Sequence, residues 1–419
     1  MFAPFAFCFG FLALILLLFL CDYLNKRHRY NVLSKSKIGG LPALPVLGNA
    51  LQMRGLTSEN MIGYLRKRTG ENNKIFRSWV LHQLVIYTAD AKDLAALLAS
   101  PTHITKNNVY DMLSLWLGDG LLLSTGKKWH TRRKIITPTF HFKILEQFVE
   151  IFDQQSTIMI ERLATEADGK KVVDIFPVVC LMALDVIAET AMGVRVNAQM
   201  NPNFSYVKAV KNVTELIAER LRRPAWRFDW LFRLVAPTQY KYLLTNIELM
   251  KKFTNNVIQQ RRTALQEILE TKESKDCDVD MGLGEKKRQA LLDVLLQSNI
   301  DGKPLSNEDI REEVETFMFE GHDTTTSGIS FALYLISRHP AVQRELYAEI
   351  VDVLGTDAQQ PASLNQLQNL KYMECVIKES LRLFPPVPII GRYFKEDSEL
   401  SEYKRTFYFS FQLKNIHLR

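Results

Sequence analysis

The stretch Glu320 to Ser327 reads Glu-Gly-His-Asp-Thr-Thr-Thr-Ser and lies inside a segment with helical apolar spacing. Ile310, Val314, Phe317 and Met318 precede it, and Ile329, Ala332, Leu333 and Ile336 follow. The periodicity predicts helix throughout. Gly, Asp, Ser and consecutive Thr are poor interior helix formers, because glycine costs backbone entropy and short polar side chains compete for backbone hydrogen bonds. Two readings account for them. In one, the helix passes close to a bulky partner, with Gly321 allowing the approach, Thr324 and Thr325 meeting a bound oxygen species and Asp323 relaying protons. In the other, the hydroxyls bond back to carbonyls one turn earlier and bend a buried helix.

The chain has 419 residues, enough for a large core, and 47% apolar with 24% charged residues is ordinary for a globular protein. A net charge of +7 is modest at this length, and no basic stripe interleaved with aromatics points to nucleic acid. Cys8, Cys21, Cys180, Cys277 and Cys375 are scattered without metal-type or paired spacing, which fits free thiols in a reducing compartment. Metal, phosphate-cradling and serine-hydrolase motifs do not occur.

Phe2 to Leu20 carry no charge, and Lys26, Arg27, His28, Arg29, Lys35 and Lys37 follow. Such a run suits a bilayer span with the C-terminal body in the cytosol, a cleaved signal peptide being the other possibility. Residues 1–24 are therefore expected to be a membrane anchor and 25–50 a basic, proline-rich hinge with Pro42 and Pro45. Residues 51–400 form the main domain and 401–419 a divergent tail. Lys74 to Val80 and Leu84 to Thr88 read as strands, and Asp90 as the N-cap of a helix from Ala91 to Ala99. Helices are expected at 126–137, 142–166, 175–192, 205–222, 238–270, 286–298, 307–338, 340–354 and 371–384, with a polar surface loop from Glu270 to Gln289. The fold class is mainly α with a minor β-sheet.

Trp129 and Arg133, four apart on a helix, share one face, so an indole N–H and a guanidinium can converge on one anion; a solvated basic face is the plainer reading. Glu379 and Arg382 are adjacent on another helix. The plain reading there is an exposed ion pair. Pro385, Pro386 and Pro388 end that helix and send an extended arm toward Arg392.

Trp129-x-x-x-Arg133, Glu320 to Thr325, Glu379-x-x-Arg382, the prolines and Arg392, in this order behind an apolar anchor, resemble the cytochrome P-450 monooxygenases. Phe317 to Thr325 is most similar to their fourth family, which contains fatty-acid omega-hydroxylases and many insect members. The resemblance implies a haem protein of P-450-like helical fold that hydroxylates lipophilic substrates, of fatty-acid or hormone/xenobiotic class, with dioxygen and electrons from an NADPH-dependent cytochrome P-450 reductase. It also implies residence in the endoplasmic reticulum membrane on a single anchor. Trp129, Arg133 and Arg392 would hold the haem propionates. Asp323 and Thr324 would deliver protons. Gly321 would let the helix approach the haem, and Glu320 matches a carboxylate that can be esterified to it. Glu379 and Arg382 would be a buried structural pair.

The family's axial cysteine in a Phe-x-x-Gly-x-x-x-Cys-x-Gly loop does not occur in these 419 residues, and the tail from Glu402 has no counterpart in the pattern. The expectation drawn from this is a C-terminally truncated chain that lacks the haem-thiolate part, offers no metal ligand and does not turn over. The alternative to an enzyme is an inactive isoform or fragment acting as a membrane-tethered binding protein.

Overall fold

The computed structural model describes residues 2–35, 38–53, 55–72, 74–81, 83–141, 144, 146–170, 172–201, 203–273, 290–357, 360–394 and 410–414. In chain order the elements are α1 (Phe2–Lys35), α2 (Ser58–Glu71), β1 (Ile75–Val80), β2 (Gln83–Thr88), α3 (Ala91–Ala99), α4 (Ser114–Leu117), α5 (Gly126–Ile136), α6 (Val149–Ala164) and α7 (Ile175–Thr190). There follow α8 (Ser205–Arg222), α9 (Asp229–Val235), α10 (Pro237–Glu273), α11 (Leu291–Gln297), the two-residue strands β3 (Asn299–Ile300) and β4 (Lys303–Pro304), and α12 (Asn307–Arg338). The last are α13 (Pro340–Leu354), α14 (Leu364–Asn369), α15 (Lys371–Leu383), β5 (Ile389–Tyr393) and β6 (Ser410–Lys414). The protein is mainly helical with little sheet, as expected. The chain divides into two compact units, one of Met1–Met112, Leu216–Tyr240 and Pro388–Arg419, the other of Leu113–Glu215 and Lys241–Val387.

In the first unit β1 and β2 form an antiparallel hairpin with Ile75 opposite Thr88 and Val80 opposite Gln83. Side chains alternate across the pleat, so Ile75, Trp79, Leu84 and Ile86 bury one face against Leu94 and Leu97 of α3, together with Ile38 and Phe394. Phe76, Val80, Val85 and Tyr87 bury the other against Leu65 of α2. Each such fully buried large side chain contributes about 1.5–3 kcal/mol. Asp90 caps α3, its carboxylate accepting the N–H of Lys92 at 2.9 Å and that of Asp93 at 3.4 Å. The sheet order is β1-β2-β6-β5, with β6 parallel to β2 and antiparallel to β5. No strand was expected in the tail. Five residues carry little periodicity, and β6 exists because it has a partner on each edge.

The end of the apolar run is fastened to this unit. Asp22 Oδ2 accepts Lys26 Nζ at 2.8 Å and the N–H of Val46 at 2.6 Å, and Lys26 Nζ also donates to Leu44 O at 3.1 Å. The Lys26 ammonium stands 5.6 Å from the Trp79 ring centre. The Ala43 N–H donates to Tyr30 Oη at 2.9 Å, and the Arg77 guanidinium covers the Tyr30 ring. The proline segment is thus a clamped turn. Phe11, Leu12, Leu14 and Leu16 to Leu20 of α1 are exposed. Among the described residues no helix is long and apolar enough to cross a membrane. The side chains of residues 2–9, part of the apolar run, are outside that set.

In the second unit α12 packs along α7. Val179, Leu184 and Ala188 of α7 and Val314 and Met318 of α12 are fully buried. Most helices match expectation within a few residues; α2, α4, α9 and α14 were not anticipated, being short or mixed in polarity. The expected helix from 286 begins at Leu291, where Asp293 accepts the N–H of Ala290. The expected polar loop lies largely outside the described residues.

Candidate functional site

Helix α12 runs unbroken for 32 residues through the Gly-His-Asp-Thr stretch. It does so because its hydroxyls do not compete for the ladder. Thr324 Oγ1 donates to Glu320 O at 2.6 Å, Thr326 Oγ1 to His322 O at 2.6 Å and Ser327 Oγ to Asp323 O at 3.0 Å. A Cβ on Gly321 would stand 2.7 Å from Ile187 Cδ1, so the close approach that needs glycine here is made by α7. Thr325 is exposed, while Asp323 and Thr324 are half-buried. Gly321 and Thr325 also line an apolar cavity of about 610 Å³ with Phe152, Met182, Val186 and Ile187. Asp323 and Thr324 do not line it.

Burial pushes the Asp323 carboxyl above the ordinary carboxylate range, against the opposing influence of His322. His322 is fully buried, and burial holds it below the usual histidine value. Its Nδ1–H donates to Met318 O at 2.6 Å, which leaves Nε2 as an acceptor without a partner among the described residues. Tyr206, also fully buried, has its ring centre 6.0 Å from that of His322, and its hydroxyl is likewise unpartnered.

On α5, Trp129 is half-buried and Arg133 exposed, one turn apart, and among the described residues Arg133 has no carboxylate partner. Arg392, on β5 in the other unit, donates to Gly391 O at 3.1 Å and likewise has no acid partner there. Burial holds it below the usual arginine value. A Cβ on Gly391 would meet the Asn107 side chain at 2.4–2.6 Å; the Asn107 amide is buried with both polar atoms unpartnered. Within α5, an indole N–H and a guanidinium free of acids on one face are donors of the kind that a cofactor with carboxylate arms requires.

The neighbouring face of α5 is differently occupied, by a network that the sequence reading missed. Lys128 Nζ lies 2.9 Å from Glu312 Oε2 and 3.1 Å from Asp119 Oδ2, and Arg132 pairs with Asp309. Glu313 is fully buried, and burial pushes it up to about 7; Glu315 is pushed up to about 8 for the same reason. Three glutamates among Val314, Thr316 and Met318 on an otherwise apolar helix were the available signal.

Glu379 and Arg382 form a bidentate pair at 2.6 and 2.7 Å. It is not buried as expected: Glu379 is 56% exposed. Ile377 and Leu381 of the same helix and Phe384 just after it are exposed too, and only Ser380 of α15 is buried. Burial pushes the Cys180 thiol up to about 11, so it is no thiolate, and Cys375 is exposed on α15. Among the described residues no cluster of three His, Cys, Asp or Glu side chains converges to hold a metal ion.

Residues 38–405 match the sequence profile of the family described as Cytochrome P450. The chain is 56% identical over 383 residues to "Cytochrome P450 4d2" of Drosophila melanogaster, covering 91% of this chain and 75% of that protein. It is 48% identical over 391 residues to "Probable cytochrome P450 4d20" of the same organism, covering 93% and 76%. Profile, relatives and the order of the motifs agree: the chain belongs to the cytochrome P450 monooxygenases, in their fourth family, whose cofactor is haem.

Proposed function

We propose that the protein is a haem monooxygenase of the kind that hydroxylates a lipophilic substrate of fatty-acid or hormone/xenobiotic class, with electrons from an NADPH-dependent reductase, while α1 anchors it in the endoplasmic reticulum membrane with its body in the cytosol; these 419 residues carry no axial cysteine loop, and turnover is not expected of them alone. The anchor reading is supported by the row of exposed apolar side chains on α1 and by the clamp at Asp22 and Lys26. Haem, when bound, supplies the activation of dioxygen. Trp129 and Arg133 would hold its carboxylate arms by charge-assisted hydrogen bonds, a role that the family resemblance extends to Arg392. Asp323, whose carboxyl burial raises above the ordinary carboxylate range, would relay protons toward the oxygen side. Thr324 presents its lone pairs, since its hydrogen is committed to Glu320 O.

The observation that carries this reading is that Arg133 has no carboxylate partner among the described residues, whereas Lys128 and Arg132 of the same helix each have one. Haem titration of the purified 419-residue chain tests it. The expected result is uptake near one haem per chain, weakened about tenfold or more by Arg133→Gln or Arg392→Gln, the loss of a charge-assisted pair. No uptake, or uptake indifferent to both substitutions, removes the assignment. A carbon monoxide spectrum of the reduced, loaded chain then reports the axial ligand. With reductase and NADPH these 419 residues are expected to leave a medium-chain fatty acid unconverted, and its conversion would overturn the expectation that turnover needs the cysteine loop.

A further inference from the structure

Helix α5 is fixed to α12 on one side and offers Trp129 and Arg133 on the next, and the fixing network is unusually well buried. Arg132 is 3% exposed and Glu313 fully buried. Arg132 pairs with Asp309, and its Nε lies 3.8 Å from Glu313 Oε1. Neither of those two atoms has a hydrogen-bond partner. The turn at Gly118 to Leu121 closes the arrangement: the Asp119 N–H donates to Glu312 Oε1 at 2.9 Å and the Leu121 N–H to Glu313 Oε2 at 3.0 Å. Gly118 has φ +58°, and a Cβ there would stand 2.5 Å from Glu312 Oε1; one on Gly120 would stand 2.6 Å from Thr316 Oγ1. The turn therefore has little freedom to slide along α12.

Buried ion pairs add little net stability, but removing one partner strands the other, so a network of this kind resists rearrangement. Successive helical residues are about 100° apart around the axis. Holding Lys128 and Arg132 against Asp309, Glu312 and Glu313 therefore sets the direction in which Trp129 and Arg133 point. We propose that Arg132, held by Glu313 and Asp309, is a positioning residue for the haem-carboxylate donors, keeping α5 at the rotation that presents Trp129 and Arg133 to one anion. This rests on the reading that those two residues hold haem.

The test combines amide exchange on the cofactor-free chain with haem titration, in Arg132→Gln, Arg132→Lys, Arg133→Gln and the double variant Arg132→Gln/Arg133→Gln. Arg132→Gln is expected to speed exchange across 126–136 by about tenfold or more, to leave 243–258 of α10 unchanged, and to weaken haem binding about tenfold. Arg132→Lys restores most of both. In the Arg133→Gln background the Arg132 substitution weakens haem binding by clearly less than its tenfold effect alone, because only Trp129 is then left for it to position. Unchanged exchange in 126–136, or losses of haem affinity that simply add, overturns the proposal. If exchange rises throughout the chain, Glu313→Gln, neutral and of the same shape, is judged by the same criteria. If the wild-type chain takes up no haem, the functional reading fails separately, and the exchange pattern still decides whether Arg132 fixes α5.

Discussion

Glu315 sits on α12 with its side chain 1% exposed and one carboxylate oxygen unpartnered. Burial is the main cause of its raised value, opposed by Arg311, 3.4 Å away, and by Lys251, and reinforced by Glu308. The shift runs from an ordinary 4.5 to about 8. The folded chain therefore holds this proton across a window in which the unfolded chain has released it. Stability falls as pH rises from about 4.5 to about 8 and is level on either side. At about 1.4 kcal/mol per pH unit the full effect is roughly 5 kcal/mol, and hydration through local opening reduces what is measured to about 2–4 kcal/mol. Glu315→Gln keeps the shape and cannot ionise. Thermal or urea unfolding of both proteins from about pH 5 to about pH 9 should show the variant no more stable than wild type at the acid end and more stable by that amount at the alkaline end. Glu313, raised to about 7, contributes equally to both and cancels in the difference. A difference curve flat across the window refutes the reasoning.

Gly321→Ala brings a methyl group against Ile187 and should cost about 1–3 kcal/mol in unfolding experiments, part of it recovered by Ile187→Val in the same chain. Asp22→Asn leaves the Lys26 ammonium, 4% exposed, without its acid; trypsin cleavage after Arg27 and Arg29 in detergent should accelerate about tenfold, with flotation on vesicles unchanged. Glu379→Ala, on an exposed pair, should leave the thermal midpoint of the cofactor-free chain where it is, and a marked fall would show that the pair is not the surface feature seen here.

The elements with strong local signals were legible in advance. The alternation of Phe76, Trp79 and Val80 against Leu84 and Ile86 marks the hairpin, Asp90 marks its helix start, and the spacing from Ile310 to Ile336 marks α12. Elements defined by partners were not. β6 owes its place to β2 and β5, and α14 to a cap in which Ser363 accepts the Gln366 N–H. The burial expected of Glu379 and Arg382 came from the resemblance. The composition of α15 by itself, with Lys371, Glu374 and Lys378 beside them, describes a solvated face. The acid row at Asp309, Glu312 and Glu313 was passed over for the opposite reason. Charged residues on a helix read as solvent-facing unless Lys128, Arg132 and the turn at Gly118 are known to cover them.

The two readings of Gly321 to Ser327 turn out not to compete. Thr324, Thr326 and Ser327 each give a hydrogen to the carbonyl one turn back, which explains how α12 tolerates them. That bond also constrains what Thr324 can do. With its hydrogen on Glu320 O it can only accept, so in the proposed reading the proton comes by way of another group, for which the half-buried Asp323, its carboxyl raised by burial, is the neighbouring candidate. Thr324→Ser retains both the back-bond and the acceptor, whereas Thr324→Val keeps the shape and loses both. If the hydroxyl serves only the helix, the two variants should differ in stability and not in how the haem-loaded chain binds oxygen-mimicking ligands. If it serves as acceptor, Thr324→Val should change that binding at matched stability while Thr324→Ser preserves it. The acceptor role predicts the second pattern, because a valine methyl cannot replace a lone pair aimed out of the helix.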